Sequence, residues 1–231
     1  MIYNRGQVNY NKPCKNNRTM KCLGCSRKDC HLAGGTRMKY LNQLKFEYIP
    51  YPTNTREPSS DMNKGSVKLA GCGLCCLCMV VEHLTLEELP LERCLEMSMQ
   101  IGANYAPGTD MNMLGPIVAE KYGLTFSVTD DLEQAMAHLR RGGRVIANVG
   151  GDRDDGAYTG VFSHGGHYIT LVSTDDKEIC VLDPSWRPDK FDEPGREGKV
   201  RKDGYFVYCT PQILDRDADN RSPRYYLFAR K

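Results

Sequence analysis

The sequence of 231 residues contains no apolar stretch long enough to cross a bilayer as a helix. Its first residues, Met1 to Gly6, lack the apolar core that a secretory signal peptide carries. It also contains no internal repeat and no low-complexity tract, so nothing indicates a repeat architecture. No membrane partner is therefore expected, and the predicted location is the cytoplasm, where thiols stay reduced.

The composition is that of an ordinary globular protein, with 40% hydrophobic and 26% charged residues. The charges are unevenly distributed along the chain. The first fifty residues hold ten lysines or arginines against two acidic residues, whereas the remainder holds twenty-one against twenty-seven. This asymmetry predicts two parts, a basic cysteine-rich segment over residues 1–40 and a main domain over residues 41–231.

Four of the eleven cysteines lie in the basic segment, at Cys14, Cys22, Cys25 and Cys30. Four thiolates within seventeen residues can hold one tetrahedral zinc ion, and the pair with two intervening residues is a common zinc-knuckle spacing. The sequence therefore predicts a structural zinc site. The alternatives are an iron–sulfur cluster, two disulfides in an exported protein, and a loose segment without metal. The segment lacks aromatic interleaving and any known binding motif, so nucleic-acid binding is not expected.

The most apolar stretch of the chain runs from Gly71 to Val81 and carries four further cysteines. Eight consecutive apolar or thiol residues after Gly73 predict a helix that is buried on every side. Cys72 stands at the start of that helix, where the unpaired N–H groups and the helix dipole favour a thiolate. The pattern fits a cysteine nucleophile that is held at the start of a buried helix. It fits equally well a core helix that has a cysteine at its end.

Helices precede strands along the rest of the chain. Helical patterns run from about Thr85 to Met99, from Met111 to Tyr122, and from about Thr129 to Arg140. Strand patterns then follow at 144–149, 167–172, 179–182, 205–209 and 225–229. The predicted fold class is therefore α+β, with an antiparallel sheet packed on a helical half.

Two of these strands form a predicted hairpin that ends in a histidine and an aspartate. Pairing that is symmetric about Asp175 sets His167 opposite Asp183, at the polar end of an otherwise apolar face. Directly opposed side chains lie close enough for a histidine–carboxylate hydrogen bond. Such a bond fixes the tautomer of the imidazole and leaves its other nitrogen for a thiol. With Cys72 upstream, the three residues are the components of a thiol nucleophile system.

The stretches around these residues also resemble those of a known protein family. The stretch around Gly71-Cys72-Gly73, the sequence Gly166-His167-Tyr168-Ile169 and the sequence Leu182-Asp183-Pro184 resemble the bacteriocin-processing family of papain-like cysteine peptidases, in particular its stand-alone bacterial relatives. The resemblance covers about residues 45–230. It implies a papain-like fold with Cys72 as nucleophile, His167 as general base and acid, and Asp183 as orienting residue.

The sequence departs from the family at the oxyanion hole. Such peptidases often have a glutamine six residues before the cysteine, where this chain has Ser66, and the nearest long polar side chain is Lys68. Three functions therefore remain open, and each has a peptide or protein as the partner of the chain. The first is hydrolysis of a peptide or isopeptide bond by a cysteine peptidase. The others are acyl transfer or deamidation with the same triad, and a non-catalytic peptide-binding module on a peptidase scaffold.

Overall fold

The computed structural model describes residues 38–55, 65–85 and 87–231. Within these ranges the chain is an α+β structure, which confirms the predicted fold class. Its helices are α1 (Val67–Ala70), α2 (Cys72–Thr85), α3 (Leu91–Ile101), α4 (Met111–Lys121), α5 (Leu132–Arg140) and α6 (Pro211–Ala218). Its strands are β1 (Leu124–Thr129), β2 (Arg144–Val149), β3 (His167–Thr174), β4 (Ile179–Leu182), β5 (Arg201–Asp203), β6 (Phe206–Cys209) and β7 (Tyr225–Arg230).

Helix α2 is the predicted central helix, and every residue from Cys72 to Val81 is buried. Its apolar circumference leaves no face for water, so the helix packs between β3 and the other helices. The helix ends where the Thr85 hydroxyl donates to the Val81 carbonyl, 2.7 Å away. The predicted start of the next helix near Thr85 is wrong, because α2 still occupies that residue and α3 begins after Pro90.

The capping residues of α4 and α5 explain where these helices begin. Asp110 accepts hydrogen bonds from the backbone N–H groups of Asn112 and Met113, which fixes the predicted start of α4. Asp131 performs the same role for α5, which begins at Leu132, three residues later than the predicted start near Thr129. Helix α4 then ends next to Gly123, whose φ of 64° is one that glycine adopts without strain.

The seven strands form one sheet in the order β1-β7-β2-β3-β4-β6-β5, and every neighbouring pair is antiparallel. Strand β7 lies between β1 and β2 although it follows all the other strands in the chain. The sheet separates two hydrophobic clusters. Helices α2, α3 and α4 contribute to the larger cluster, and α5 and α6 contribute to the other.

The β3–β4 register differs from the predicted one by two residues. Leu171 pairs with Val181, not with the predicted Ile179. A bulge around Val172 changes the register by one residue, so that Ser173, nearer the turn, pairs with Cys180. The turn itself is closed by Asp175, whose carboxylate accepts from the N–H groups of Lys177 and Glu178. The apolar side chains that the prediction set on one face do share a core cluster: Ile169, Leu171, Ile179 and Val181.

The predicted cysteine-rich segment lies almost wholly outside the described residues, as do all four of its cysteines. The described chain begins with Met38, which is buried in the larger core cluster. Tyr40 follows, and its hydroxyl donates to the Asp183 carbonyl at 2.8 Å. No helix of the described ranges has the length and apolar character needed to cross a membrane.

Candidate active site

The structure brings His167 and Asp183 together at one end of the sheet. His167 is the first residue of β3, and Asp183 directly follows the last residue of β4. The His167 Nε2 atom lies 2.8 Å from the Asp183 Oδ1 atom. Because a carboxylate only accepts hydrogen bonds, Nε2 carries the proton and the remaining ring nitrogen is Nδ1. The observed register reaches this contact diagonally across the hairpin instead of by direct opposition.

Cys72 completes the group from the start of α2. Its side chain is hydrogen-bonded to His167, and the backbone N–H groups of Tyr168 and Gly73 also donate to the sulfur. Burial acts to raise the pKa of the thiol, but His167 and these donors outweigh it and lower the pKa below its ordinary value. The residue retains 8% of its surface, so the sulfur lies at the edge of the core.

The ionisation of the two partners is coupled to the thiol. Burial acts to lower the pKa of His167, but hydrogen bonds to Asp183 and Cys72 raise it above its usual value. Burial acts to raise the pKa of Asp183, but the Lys190 charge and the His167 hydrogen bond hold it well below its usual range. The arrangement can therefore hold a thiolate beside an imidazolium, with an ionised carboxylate behind the ring.

Two residues that the sequence analysis missed also bind this carboxylate. Ser185 donates to Asp183 Oδ1 from its backbone N–H at 2.8 Å and from its hydroxyl at 3.1 Å. Lys190 donates to Oδ2 from its ammonium group at 2.6 Å. Both lie in the charged segment after β4, where sequence alone does not distinguish a buried lysine from a solvated one. Extending the observed register would have pointed to Ser185, because it falls opposite His167.

His164 does not belong to this group, although it lies close in sequence. Its two ring nitrogens are each 2.9 Å from a carboxylate, Nδ1 from Asp152 and Nε2 from Glu193. Its side chain is 59% exposed. His167, and not His164, is therefore the histidine bound to Asp183.

At the position six residues before Cys72, where the resemblance implies a glutamine, the chain has Ser66. Ser66 is buried just before α1 and its side chain does not cap that helix. Lys68 forms an ion pair with Glu47 at 2.9 Å. Gln43 is buried and donates to the Lys68 carbonyl at 2.8 Å. The backbone N–H groups at the start of α2 are donors that a helix leaves without intrahelical partners, and they lie beside Cys72.

Gly71 forms the tight turn between α1 and α2. A β-carbon on Gly71 would lie 2.7 Å from the Val67 carbonyl oxygen and 2.9 Å from the Val67 Cα. These are backbone atoms that cannot move aside easily, so the close approach of the two helices requires glycine here. The tight turn places Cys72 directly at the first turn of α2.

The other described cysteines differ chemically from Cys72. All are buried and free. Burial raises the pKa of the thiols of Cys75, Cys76, Cys180 and Cys209, and a hydrogen bond from Cys78 together with burial raises that of Cys94. These thiols stay protonated and act as small apolar side chains. Among the residues that the structure describes, no group of three or more histidine, cysteine or acidic side chains could hold a metal ion.

Comparison with known proteins gives structural neighbours only. No protein-family model matches the chain, and no curated protein matches it in sequence. The peptidase domain of Streptococcus ComA, a bi-functional ABC transporter involved in a quorum-sensing pathway, aligns with a TM-score of 0.46 and 12% identity, over 80% of this chain and 99% of that one. A Bacillus anthracis protein assigned as a C39-like peptidase aligns with a TM-score of 0.49 and 12% identity, over 80% and 96% respectively. The structural neighbours of this chain are thus peptidase domains of low sequence identity to it.

Proposed function

We propose that the chain is a cysteine peptidase that hydrolyses a peptide or isopeptide bond through Cys72, His167 and Asp183. The observation that carries the proposal is the 2.8 Å contact between the His167 ring and the buried Asp183 carboxylate, with the Cys72 thiol coupled to the same ring. A thiol with a lowered pKa, a ring fixed in one tautomer and an ionised carboxylate are what thiol-based acyl chemistry requires.

The proposed reaction proceeds in two stages. The Cys72 thiolate attacks the carbonyl carbon, and the N–H groups at the start of α2 stabilise the oxyanion that forms. The His167 imidazolium then protonates the leaving amine, the C–N bond breaks, and a thioester remains on Cys72. In the second stage neutral His167 accepts a proton from water, the hydroxide attacks the thioester, and the carboxylic acid leaves with the thiolate restored. Asp183 stabilises the imidazolium throughout.

A labelling experiment tests this proposal directly. A peptide that carries a thiol-reactive electrophile should label the wild-type chain on one cysteine, and both Cys72→Ala and His167→Ala should abolish labelling at neutral pH. Cys180→Ala is the matched control, because Cys180 is buried and its pKa is raised to about 11. Labelling that survives in Cys72→Ala and disappears in another cysteine variant would overturn the assignment.

The mass of the product separates hydrolysis from the two related reactions. With a peptide substrate and a free amine present, a peptidase yields the free acid, whereas an acyltransferase yields the amide of the added amine. A deamidase leaves the backbone intact and increases the peptide mass by the difference between an amide and an acid.

A further inference from the structure

The charged segment after β4 contributes a lysine to the interior of the candidate site. Lys190 begins a single helical turn, Lys190–Asp192, and the residue is buried. Its ammonium group lies 2.6 Å from Asp183 Oδ2 and 2.6 Å from the Ser185 hydroxyl. A buried ammonium is costly unless it is paired and hydrogen-bonded, and here both conditions are met.

The four contacts divide the Asp183 carboxylate into two differently used oxygens. His167 and Ser185 bind Oδ1, whereas Lys190 binds Oδ2. With both oxygens engaged, the carboxylate cannot rotate about its Cβ–Cγ bond without losing a charged contact. Oδ1 therefore stays directed at the imidazole Nε2.

The charges of the group also balance in both of its protonation states. A thiolate, an imidazolium, a carboxylate and an ammonium sum to zero, and so do a neutral thiol, a neutral imidazole, a carboxylate and an ammonium. Without Lys190 the same buried group would carry one net negative charge in each state. A buried negative charge makes every acidic group around it harder to deprotonate.

We propose that Lys190 is a positioning residue of the Cys72 site, which keeps Asp183 ionised and oriented and keeps the thiolate form of Cys72 accessible near neutral pH. The inference rests on the proposed function, because it assigns the lysine to the same thiol chemistry. Lys190 touches neither the sulfur nor the bond to be cleaved, so it acts through Asp183 and His167.

The other ionisable groups around Lys190 and Asp183 are the same in all the variants that test this inference. Arg187 and Arg196 add positive charge near Lys190. Tyr40 and Cys76 face Asp183 with raised pKa values, Tyr40 mainly by burial, so both remain neutral. Lys190 is therefore the cation that directly contacts the carboxylate, and its charge can be removed without changing these neighbours.

The test is the rate of Cys72 alkylation by iodoacetamide as a function of pH, because alkylation reports the thiolate without any peptide substrate. Lys190→Met should move the midpoint of thiolate formation up, by less than the roughly one to three pH units that a charge within about 4–6 Å causes, because Lys190 acts through Asp183 and His167. Lys190→Arg retains the charge and should keep the midpoint near the wild-type value. Lys177→Met, on an exposed lysine of the β3–β4 turn, is the matched control and should leave the profile unchanged.

A second neutral variant keeps the test decisive if Lys190→Met does not fold. Lys190→Gln keeps a donor for Asp183 Oδ2 without the charge, and it should show the same upward shift if Lys190→Met does not fold by circular dichroism. A low wild-type midpoint that both neutral variants retain would overturn the role of Lys190 alone. Mass spectrometry of the Cys72 peptide follows the reaction at this residue alone, and a wild-type Cys72 midpoint at the ordinary thiol pKa would instead overturn the proposed function.

Discussion

At the scale of single residues, Asp183 is the side chain on which the most contacts converge. It has no exposed surface, and it binds a histidine, a serine and a lysine through its two oxygens. A carboxylate so enclosed is stable only as long as its cation is present, and the cation depends equally on the carboxylate.

We therefore expect strong coupling between Asp183 and Lys190 in the free energy of unfolding. Asp183→Asn alone leaves a buried ammonium without its counter-charge and should cost about 3–5 kcal/mol, as breaking buried ion pairs does. In the double variant with Lys190→Met both charges are absent, so most of that loss should be recovered. Urea denaturation of the wild type, the two single variants and the double variant measures the coupling.

The exposed pair of Arg201 and Glu178 provides the control for this cycle. Its atoms are equally close, at 2.6 Å, but both side chains are partly solvated. The same cycle there should give a coupling below about 1 kcal/mol. Additive effects at Asp183 and Lys190 would contradict the description of a buried, mutually dependent pair.

The sequence was sufficient to predict the residues with distinctive chemistry, and not their supports. His167 and Asp183 stand out because each ends an apolar strand. Lys190 does not stand out, because it lies among charged residues that normally face water, and only the return of the chain to the sheet buries it.

At the scale of elements, α2 combines a reactive first turn with a histidine buried in its last turn. His83 donates from Nε2 to the Lys39 carbonyl at 2.8 Å, and its Nδ1 has no hydrogen-bond partner within the described residues. Burial, together with the nearby charges of Arg144 and Lys39, lowers the pKa of His83 to about 4. Protonation of this ring would place an unpaired charge in the core.

This pKa predicts acid sensitivity of α2. The unfolded chain, with a histidine pKa near 6.5, binds the proton more readily than the folded chain, so stability falls as the pH drops from about 6.5 towards 4. For this one group the loss between pH 7 and pH 5 is about 2 kcal/mol. His83→Gln keeps a donor for the carbonyl and removes the titration, so its urea denaturation should change less between these pH values.

The control for this prediction is His138→Gln, since His138 also donates from Nε2 to a backbone carbonyl, that of Phe228, at 2.8 Å. It reports the cost of replacing a histidine–carbonyl bond at pH 7. An unchanged pH dependence in His83→Gln would mean that the acid sensitivity of the fold lies elsewhere.

Element types were easier to predict than their boundaries and pairing. The buried helix α2 and strand β2 follow from uninterrupted apolar runs. Strand β1 was missed because only Leu124 of its six residues is buried, so its short stretch after Gly123 shows neither an apolar run nor a regular alternation. The β3–β4 register was two residues off because the turn is centred between Asp176 and Lys177, where Thr174 pairs with Ile179, and not on Asp175. The bulge near Val172 reduces the offset from three residues to two.

At the scale of the whole molecule, the predicted zinc site lies in the segment before Met38, outside the described residues. We expect the purified full chain to carry about one zinc ion, held by the four thiolates of Cys14, Cys22, Cys25 and Cys30. Replacing Cys22 and Cys25 with serine should remove the metal, as measured by elemental analysis of the protein. Labelling of Cys72 should persist, because the groups that lower the pKa of its thiol belong to His167, Tyr168 and Gly73, outside the cysteine-rich segment.

Cys180→Ser serves as the control here, since it removes a cysteine from the sheet and should leave the metal content unchanged. Iron in place of zinc would indicate the cluster that the same spacing allows. A metal-free wild-type chain would overturn the prediction and leave the cysteines of this segment without a ligand.

The position of β7 has a consequence for the order in which the molecule is made. A ribosome releases β7 after every other strand, yet β7 must enter between β1 and β2, and β2 in turn supports the strand that begins with His167. Until then the nascent chain has a gap in its sheet, and the strand that carries His167 lacks part of its support. Under the proposed function, cleavage of a peptide bond should therefore arise only once translation has passed β7.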